Sequence, residues 1–445
     1  MRAALLALAL LTASLAQADP PPKRPVPAYD GRAQAPTTAG DVARTTLRVL
    51  LFPIRIVIDY GVRWPLGELI SAVENVHGVR RAVRNLFLRP PTPTLTFVPL
   101  AFYDFGFQSP IGLRAVWRRG FLSPGSSFAV KLGTGGADFW RGDFGLVIAV
   151  PQTHGFRFGV EASARRRPDQ QFFGIGPRSP HAARARYLHA RFGVLAHLGW
   201  RELSMFAATA VTFTAASYFN GGPSIEDRVA TGGIAALPAG YDGLVGTERF
   251  GATLALDTRE AYDSPEVREN GARLDALVER VRARDIGHWL HVDATLGIAL
   301  RLDPPGEYKL DVRLRMELVE PSTSLADDEV PFFELATIGG ARDLRGLANG
   351  RGRGLSAAAL TVDYQWPLAA WLDTTLYVGA GNVYDGRFSN LTAGSLRGSF
   401  GMGLSLAGFS YERQIELWAA VGTDPFDEGA NVSSFRLVFG YSRDY

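Results

Sequence analysis

Residues 308–318 read Tyr308-Lys309-Leu310-Asp311-Val312-Arg313-Leu314-Arg315-Met316-Glu317-Leu318. Every even position is apolar or aromatic and every odd position is charged. A period of two places successive side chains on opposite faces of a β-strand, so this segment has one apolar face and one charged face. The segment before it repeats the pattern: Leu290, Val292, Leu296, Ile298 and Leu300 alternate with His291, Asp293, Thr295 and Arg301. Asp303-Pro304-Pro305-Gly306 supplies a tight turn between the two. Phe156, Phe158, Val160 and Ala162 alternate with Arg157, Gly159, Glu161 and Ser163. Leu396, Phe400, Met402, Leu404 and Leu406 do so with Arg397, Ser399, Gly401, Gly403 and Ser405.

Half-buried sheets of soluble proteins also alternate. Here the strands reach about ten residues, the length that a tilted strand needs to cross the hydrocarbon of a bilayer. Lipid cannot satisfy an open sheet edge, so such a sheet must close. The pattern predicts strands at 94–103, 109–118, 124–134, 139–149, 155–166, 185–198, 202–216, 246–257, 271–283, 289–301, 307–318, 355–366, 372–383, 394–407, 412–422 and 432–441. Sixteen is an even number, as bacterial single-chain barrels require. The expected fold is an all-β, 16-stranded antiparallel transmembrane barrel. If the first strand runs outward, the long connections 167–184, 217–245 and 319–354 all fall outside, and only 258–270 is long on the other side.

The flanking sequence agrees with export. Arg2, the apolar run 3–15 and Ala16-Gln17-Ala18 form a signal peptide, 1–18, with Asp19 as the expected mature start. Residues 19–40 form a Pro-rich linker. Residues 41–93 read as a helical segment, periplasmic or interfacial, with Asp41 capping its start and Pro53 interrupting the apolar face of Leu47, Leu50, Leu51, Ile54 and Ile58. The barrel occupies 94–445.

Composition narrows the chemistry. The chain has 445 residues, 47 % hydrophobic, 20 % charged, with 49 glycines and no cysteine. Disulfides, thiolate metal sites, a cysteine nucleophile and an acylated lipoprotein N-terminus are therefore excluded. Of 47 basic residues only Lys23, Lys131 and Lys309 are lysines, a preference for the rigid guanidinium. A net charge of +3 argues against nucleic acid as a partner. No Gly-Lys phosphate loop, His-Glu-x-x-His helix or Gly-x-Ser-x-Gly elbow occurs. His189 and His197 share one strand face, and Asp327-Asp328-Glu329 reads as a solvated loop run. The expectation is a protein that is not an enzyme and carries no cofactor or metal.

The connection 319–354 contains Ile338-Gly339-Gly340-Ala341-Arg342-Asp343-Leu344-Arg345-Gly346-Leu347. This resembles the loop of the BamA/TamA superfamily of outer-membrane proteins, also called bacterial surface antigens, in which Ile/Leu-Gly-Gly leads into Val/Leu-Arg-Gly-aromatic. Gly339, Gly340, Leu344, Arg345 and Gly346 are the matching residues. In that family the loop follows strand 11, folds into the lumen and precedes five strands, as counted here. Phe172-Phe173-Gly174-Ile175-Gly176, Leu256-Asp257-Thr258-Arg259 with Pro265 and Gly271, and Gly398 to Gly403 are also similar to family segments. Phe435, Leu437, Phe439 and Tyr441 resemble the terminal insertion signal, without a C-terminal phenylalanine. The resemblance covers about residues 94–445.

Three departures matter. Leu347 stands where the family tetrad ends in an aromatic residue. Gly379, in Tyr377-Val378-Gly379-Ala380-Gly381, stands where an aspartate meets the loop arginine. A buried Arg345 then needs another partner, and alternation puts Asp363, Asp311 and Glu317 on its side. Lastly, residues 19–93 show no βααββ pattern of POTRA modules.

The resemblance implies an integral outer-membrane barrel that inserts, translocates or remodels outer-membrane components through a weak seam between its first and last strands. Its partners would be outer-membrane lipid and unfolded barrel clients, and a homo-oligomer is left open. Pro99 and Gly440 weaken pairing at that seam. The alternatives are a passive pore and a structural or surface-antigen barrel.

Overall fold

The computed structural model describes residues 39–56 and 95–441, apart from 119–122, 303–307, 370–371, 407–414 and a few single positions. The signal peptide, most of the linker, the rest of the expected helical segment beyond residue 56 and the Asp303–Gly306 turn lie outside the described residues.

Helix α1 spans Ala39–Ile56. It begins two residues before Asp41, which therefore sits within the first turn and not at the cap. It also runs through Pro53, close enough to its end that few later turns depend on the missing amide. No described helix is long and apolar enough to cross a membrane.

Sixteen strands form one closed antiparallel barrel in chain order. They are β1 Leu95–Asp104, β2 Ile111–Arg118, β3 Ser127–Gly136, β4 Phe139–Ala149, β5 Phe156–Phe172 and β6 Ala185–Trp200. Next come β7 Leu203–Ala216, β8 Leu244–Asp257, β9 Gly271–Ala283, β10 Gly287–Arg301 and β11 Lys309–Pro321. The last five are β12 Ser356–Ala369, β13 Leu372–Tyr384, β14 Arg397–Leu406, β15 Ile415–Pro425 and β16 Val432–Tyr441. Each expected strand has its counterpart. The main extension is β5, which continues six residues beyond 166 by pairing Gln170, Gln171 and Phe172 with β6 across a bulge.

Burial is inverted relative to a soluble protein. Arg315 and Glu317 on β11 are buried, whereas Leu314 and Met316, which alternate with them, are exposed. On other strands Phe192, Phe250 and Phe435 are 57 %, 65 % and 62 % exposed. An outward surface built of such side chains calls for lipid, not water, as its solvent.

Inside, the long connections supply a core of their own. Phe332 and Leu335 from the connection after β11 join Phe172, Tyr187, Ile225, Ile338, Leu344 and Leu347 in one buried cluster. The Phe332 ring lies edge-on to Tyr187 at 5.0 Å and to Phe172 at 5.3 Å. Phe332 N donates to Ala239 O, and Gly176 N to Arg353 O, so the three long connections meet. A hairpin of Ala336–Ile338 against Gly352–Gly354 carries the chain into and out of the motif.

Candidate functional site: an interior loop tied to the strand seam

Between the two hairpin arms the backbone turns at Gly339 and Gly340, whose φ values of +106° and +89° suit glycine. The Gly340 amide then donates to Leu347 O at 2.9 Å and closes the motif on itself. Leu344 and Leu347 are wholly buried.

Arg345 reaches β12. Its Nη1 bonds Asp363 Oδ1 at 2.6 Å and its Nη2 bonds Asp363 Oδ2 at 2.9 Å, a two-pronged charge-assisted contact. Arg313 of β11 holds the same carboxylate at 2.6 Å. The guanidinium lies 4.1 Å from the Trp418 ring centroid and 4.5 Å from that of Tyr377, between two aromatic faces that favour a cation. Its amide donates to the Tyr377 hydroxyl at 3.1 Å, and that hydroxyl donates to Asp343 O at 2.8 Å.

The two other carboxylates considered for Arg345 are engaged elsewhere. Asp311 lies 3.6 Å from Arg313. Glu317 bonds Arg315 at 2.6 Å, His291 at 3.0 Å and the Thr337 amide at 3.1 Å. Arg315 also binds Asp343 of the loop at 2.9 Å and Asp293 at 3.2 Å. Beyond His291, Glu279 at 2.7 Å, Arg249 and Glu334 extend this network across β9 and β8. Within this network the charges are thus held in alternating sign, as burial demands.

Gly379 lies beside the loop. A Cβ there would fall 2.7 Å from the Tyr377 hydroxyl and 2.8 Å from Leu344 Cδ2, so these two side chains take the space that a side chain at 379 would need. Asp363 pairs in register with Tyr377, two residues from Gly379, so the acid meeting the loop arginine sits one strand over. Gly346 passes still closer to the wall: a Cβ would lie 2.0 Å from Val421 O. Its amide donates to Ser399 Oγ at 2.8 Å and its carbonyl accepts from Ser434 Oγ at 2.7 Å.

The arginine that sequence reasoning missed is Arg436, inward-facing on β16. Its Nη1 donates to Arg345 O at 3.0 Å and to Leu347 O at 2.8 Å. Its Nη2 and Nε bond Asp104 on β1, at 2.5 and 3.4 Å. Both side chains are buried. One guanidinium thereby joins the loop to both strands of the seam. The available signal was parity: Arg436 is the charged position among the outward Phe435, Leu437 and Phe439. Phe435 and Phe439 are exposed and Leu437 is half-buried. Tyr441 ends the strand, and its side chain lies outside the described residues.

Among the described residues, which end at Tyr441, four registered pairs, Ala101–Tyr441 to Asp104–Val438, join β1 to β16. By comparison, seven join β1 to β2, and fifteen join β5 to β6. Leu95 to Leu100 pair with β2 only, among the described residues, and Pro99 within that stretch has no amide to donate.

The chain is thus a closed 16-stranded barrel whose connection after strand 11 returns inside and bonds β11 to β16, a BamA-like barrel fold. The chain is similar in structure to BamA from Haemophilus ducreyi lacking POTRA domains 1–3. The TM-score is 0.53 at 14 % identity over 79 % of this chain and 70 % of that one. It is also similar to CdiB from Acinetobacter baumannii, with TM-score 0.46 at 11 % identity over 78 % of this chain and 60 % of that one. CdiB from Escherichia coli gives TM-score 0.45 at 10 % identity over 79 % and 63 %. The chain spans less than two thirds of either CdiB. No family model and no curated protein matches the sequence. The resemblance seen in the Gly-Gly and Arg-Gly loop therefore extends to the fold of the whole barrel.

Proposed function

We propose that the chain is an integral outer-membrane barrel, with its N-terminal segment in the periplasm, that inserts, translocates or remodels outer-membrane components by opening sideways between β1 and β16. The observation that carries this reading is the β1–β16 seam, four registered pairs among the described residues, with Pro99, which has no amide to donate, on its β1 strand. Parted edges expose amides and carbonyls that lipid cannot satisfy. An incoming strand of an unfolded barrel client would satisfy them by adding to the edge. The loop supports the reading because Arg436 ties its backbone to the seam. The reading involves no enzymatic step and no cofactor.

The lack of cysteine allows a clean test. Tyr103 and Phe439 are registered partners across the seam. Depletion of the protein should lower the levels of other outer-membrane barrels, and wild-type protein should restore them. A Tyr103→Cys, Phe439→Cys protein should restore them only when reduced. Unchanged barrel levels on depletion, or full restoration by the oxidised lock, would overturn the proposal.

A passive pore is the second reading, favoured by one observation. Arg157, Glu161, Ser163 and Arg165 face inward on β5 yet are exposed, so water enters that side of the barrel. Large, steady conductance in planar bilayers would favour this reading.

A further inference from the structure

The inner wall formed by β4, β5 and β6 carries a charge pattern that the seam does not use. Arg141 on β4, Arg165 on β5 and Arg191 on β6 are direct cross-strand partners, Arg141 with Arg165 and Arg165 with Arg191. All three have the inward parity of Asp143 and Ser163, opposite to the outward Phe144 and Phe192. Like charges directly opposed on antiparallel strands destabilise the pairing. At a strand spacing of roughly 4.8 Å, three of them sit within about 10 Å.

Countercharges offset this row only in part. Asp143 bonds Arg141 at 2.6 Å. Glu334 lies 3.5 Å from Arg191 but is held more closely by Arg249. Arg165, the middle member, makes no hydrogen bond or ion pair among the described residues and is exposed to the interior water. The rung above continues the basic character, since Arg167 faces His189 and spends its charge on Asp169 at 2.6 Å.

We propose that this row is a lumen binding site for a soluble phosphate-bearing solute, with Arg165 as its principal contact and Arg141 and Arg191 flanking it. The guanidinium fork matches a tetrahedral oxyanion two bonds at a time, and lysine would not. A doubly charged anion between opposed arginines replaces their repulsion with attraction. The row faces away from lipid, which favours a solute over a membrane headgroup. The site is independent of whether the seam opens.

The test uses the full chain, purified and folded in detergent, titrated calorimetrically with inorganic phosphate against chloride at equal ionic strength. The expected result is saturable phosphate binding that Arg165→Gln weakens about tenfold or more, the loss of one charge-assisted contact. Arg157→Gln, on the same strand but bonded to Arg201 O, should leave the affinity unchanged. In phosphate-free buffer Arg165→Gln should unfold at a higher denaturant midpoint than wild type, and phosphate should raise the wild-type midpoint but not that of the variant. Absence of saturable phosphate binding would overturn the proposal, as would equal weakening by Arg157→Gln. So would a lower phosphate-free midpoint for Arg165→Gln, which would make the arginine structural. Binding of poly-glutamate without binding of phosphate would assign the row to acidic peptide and overturn it too.

Discussion

Arg345 and Asp363 do not contribute equally to the site they share. Removing the arginine leaves Asp363 with Arg313 at 2.6 Å, so its charge stays compensated. Removing the aspartate leaves two half-buried guanidiniums, Arg313 and Arg345, without their shared carboxylate. Breaking a buried pair from one side costs about 3–5 kcal/mol, and that figure applies most nearly to Asp363→Ala. Arg345→Ala should cost less, about 2 kcal/mol, mainly lost aromatic and carboxylate contacts. Urea unfolding of the refolded barrel, with protease resistance of the loop as a second readout, should rank Asp363→Ala below Arg345→Ala; the opposite order would show that Arg313 does not compensate. Gly379 gives a sharper case. Gly379→Asp places an acid where the resembled family carries one, yet its Cβ meets both the Tyr377 hydroxyl and Leu344. Overpacking of this kind costs about 1–3 kcal/mol, and Leu344→Ala in the same chain should relieve part of it. Additive losses in that double variant would count against the steric account.

At the scale of elements, the loop and the seam are one unit because Arg436 serves both. Arg436→Met cuts two bonds to the loop and leaves Asp104 buried without its charge partner, at a cost of about 3–5 kcal/mol. Asp104→Asn in the same chain should recover part of that loss while leaving the loop protease-sensitive, because the bonds to Arg345 O and Leu347 O stay absent. Recovery of both properties would show that Arg436 acts on the seam alone. The strands themselves were readable along the chain, because a period of two is a local property of eight to fifteen residues. Their ends were less so. The six extra residues of β5 exist because Gln170 to Phe172 find β6 across a bulge, which no single strand records. Helix α1 differs at Asp41 and Pro53 for a related reason: a cap or a break is decided by where the first and last turns fall, not by the presence of a residue able to make one.

For the whole molecule, the exposed Phe192, Phe250 and Phe435 and the buried Arg315 and Glu317 make one demand, an apolar solvent outside and a polar interior. The protein should fractionate with the outer membrane and migrate more slowly on gels after boiling, since a closed barrel resists detergent until heated. A soluble periplasmic product of unchanged mobility would contradict this. By itself the sequence determined the number of strands, which face of each meets lipid, and that the longest connection carries a glycine- and arginine-bearing motif, because alternation and turn chemistry act over short distances. It placed Asp363, Asp311 and Glu317 on one side but did not distinguish among them. Only the tertiary structure decided that Arg345 meets Asp363 between Tyr377 and Trp418, that Tyr377 and Leu344 take the space at Gly379, and that Arg436 joins the loop to Asp104. Those contacts bring together residues up to 332 positions apart, and their geometry comes from closing the barrel around its own loop, which no local pattern encodes.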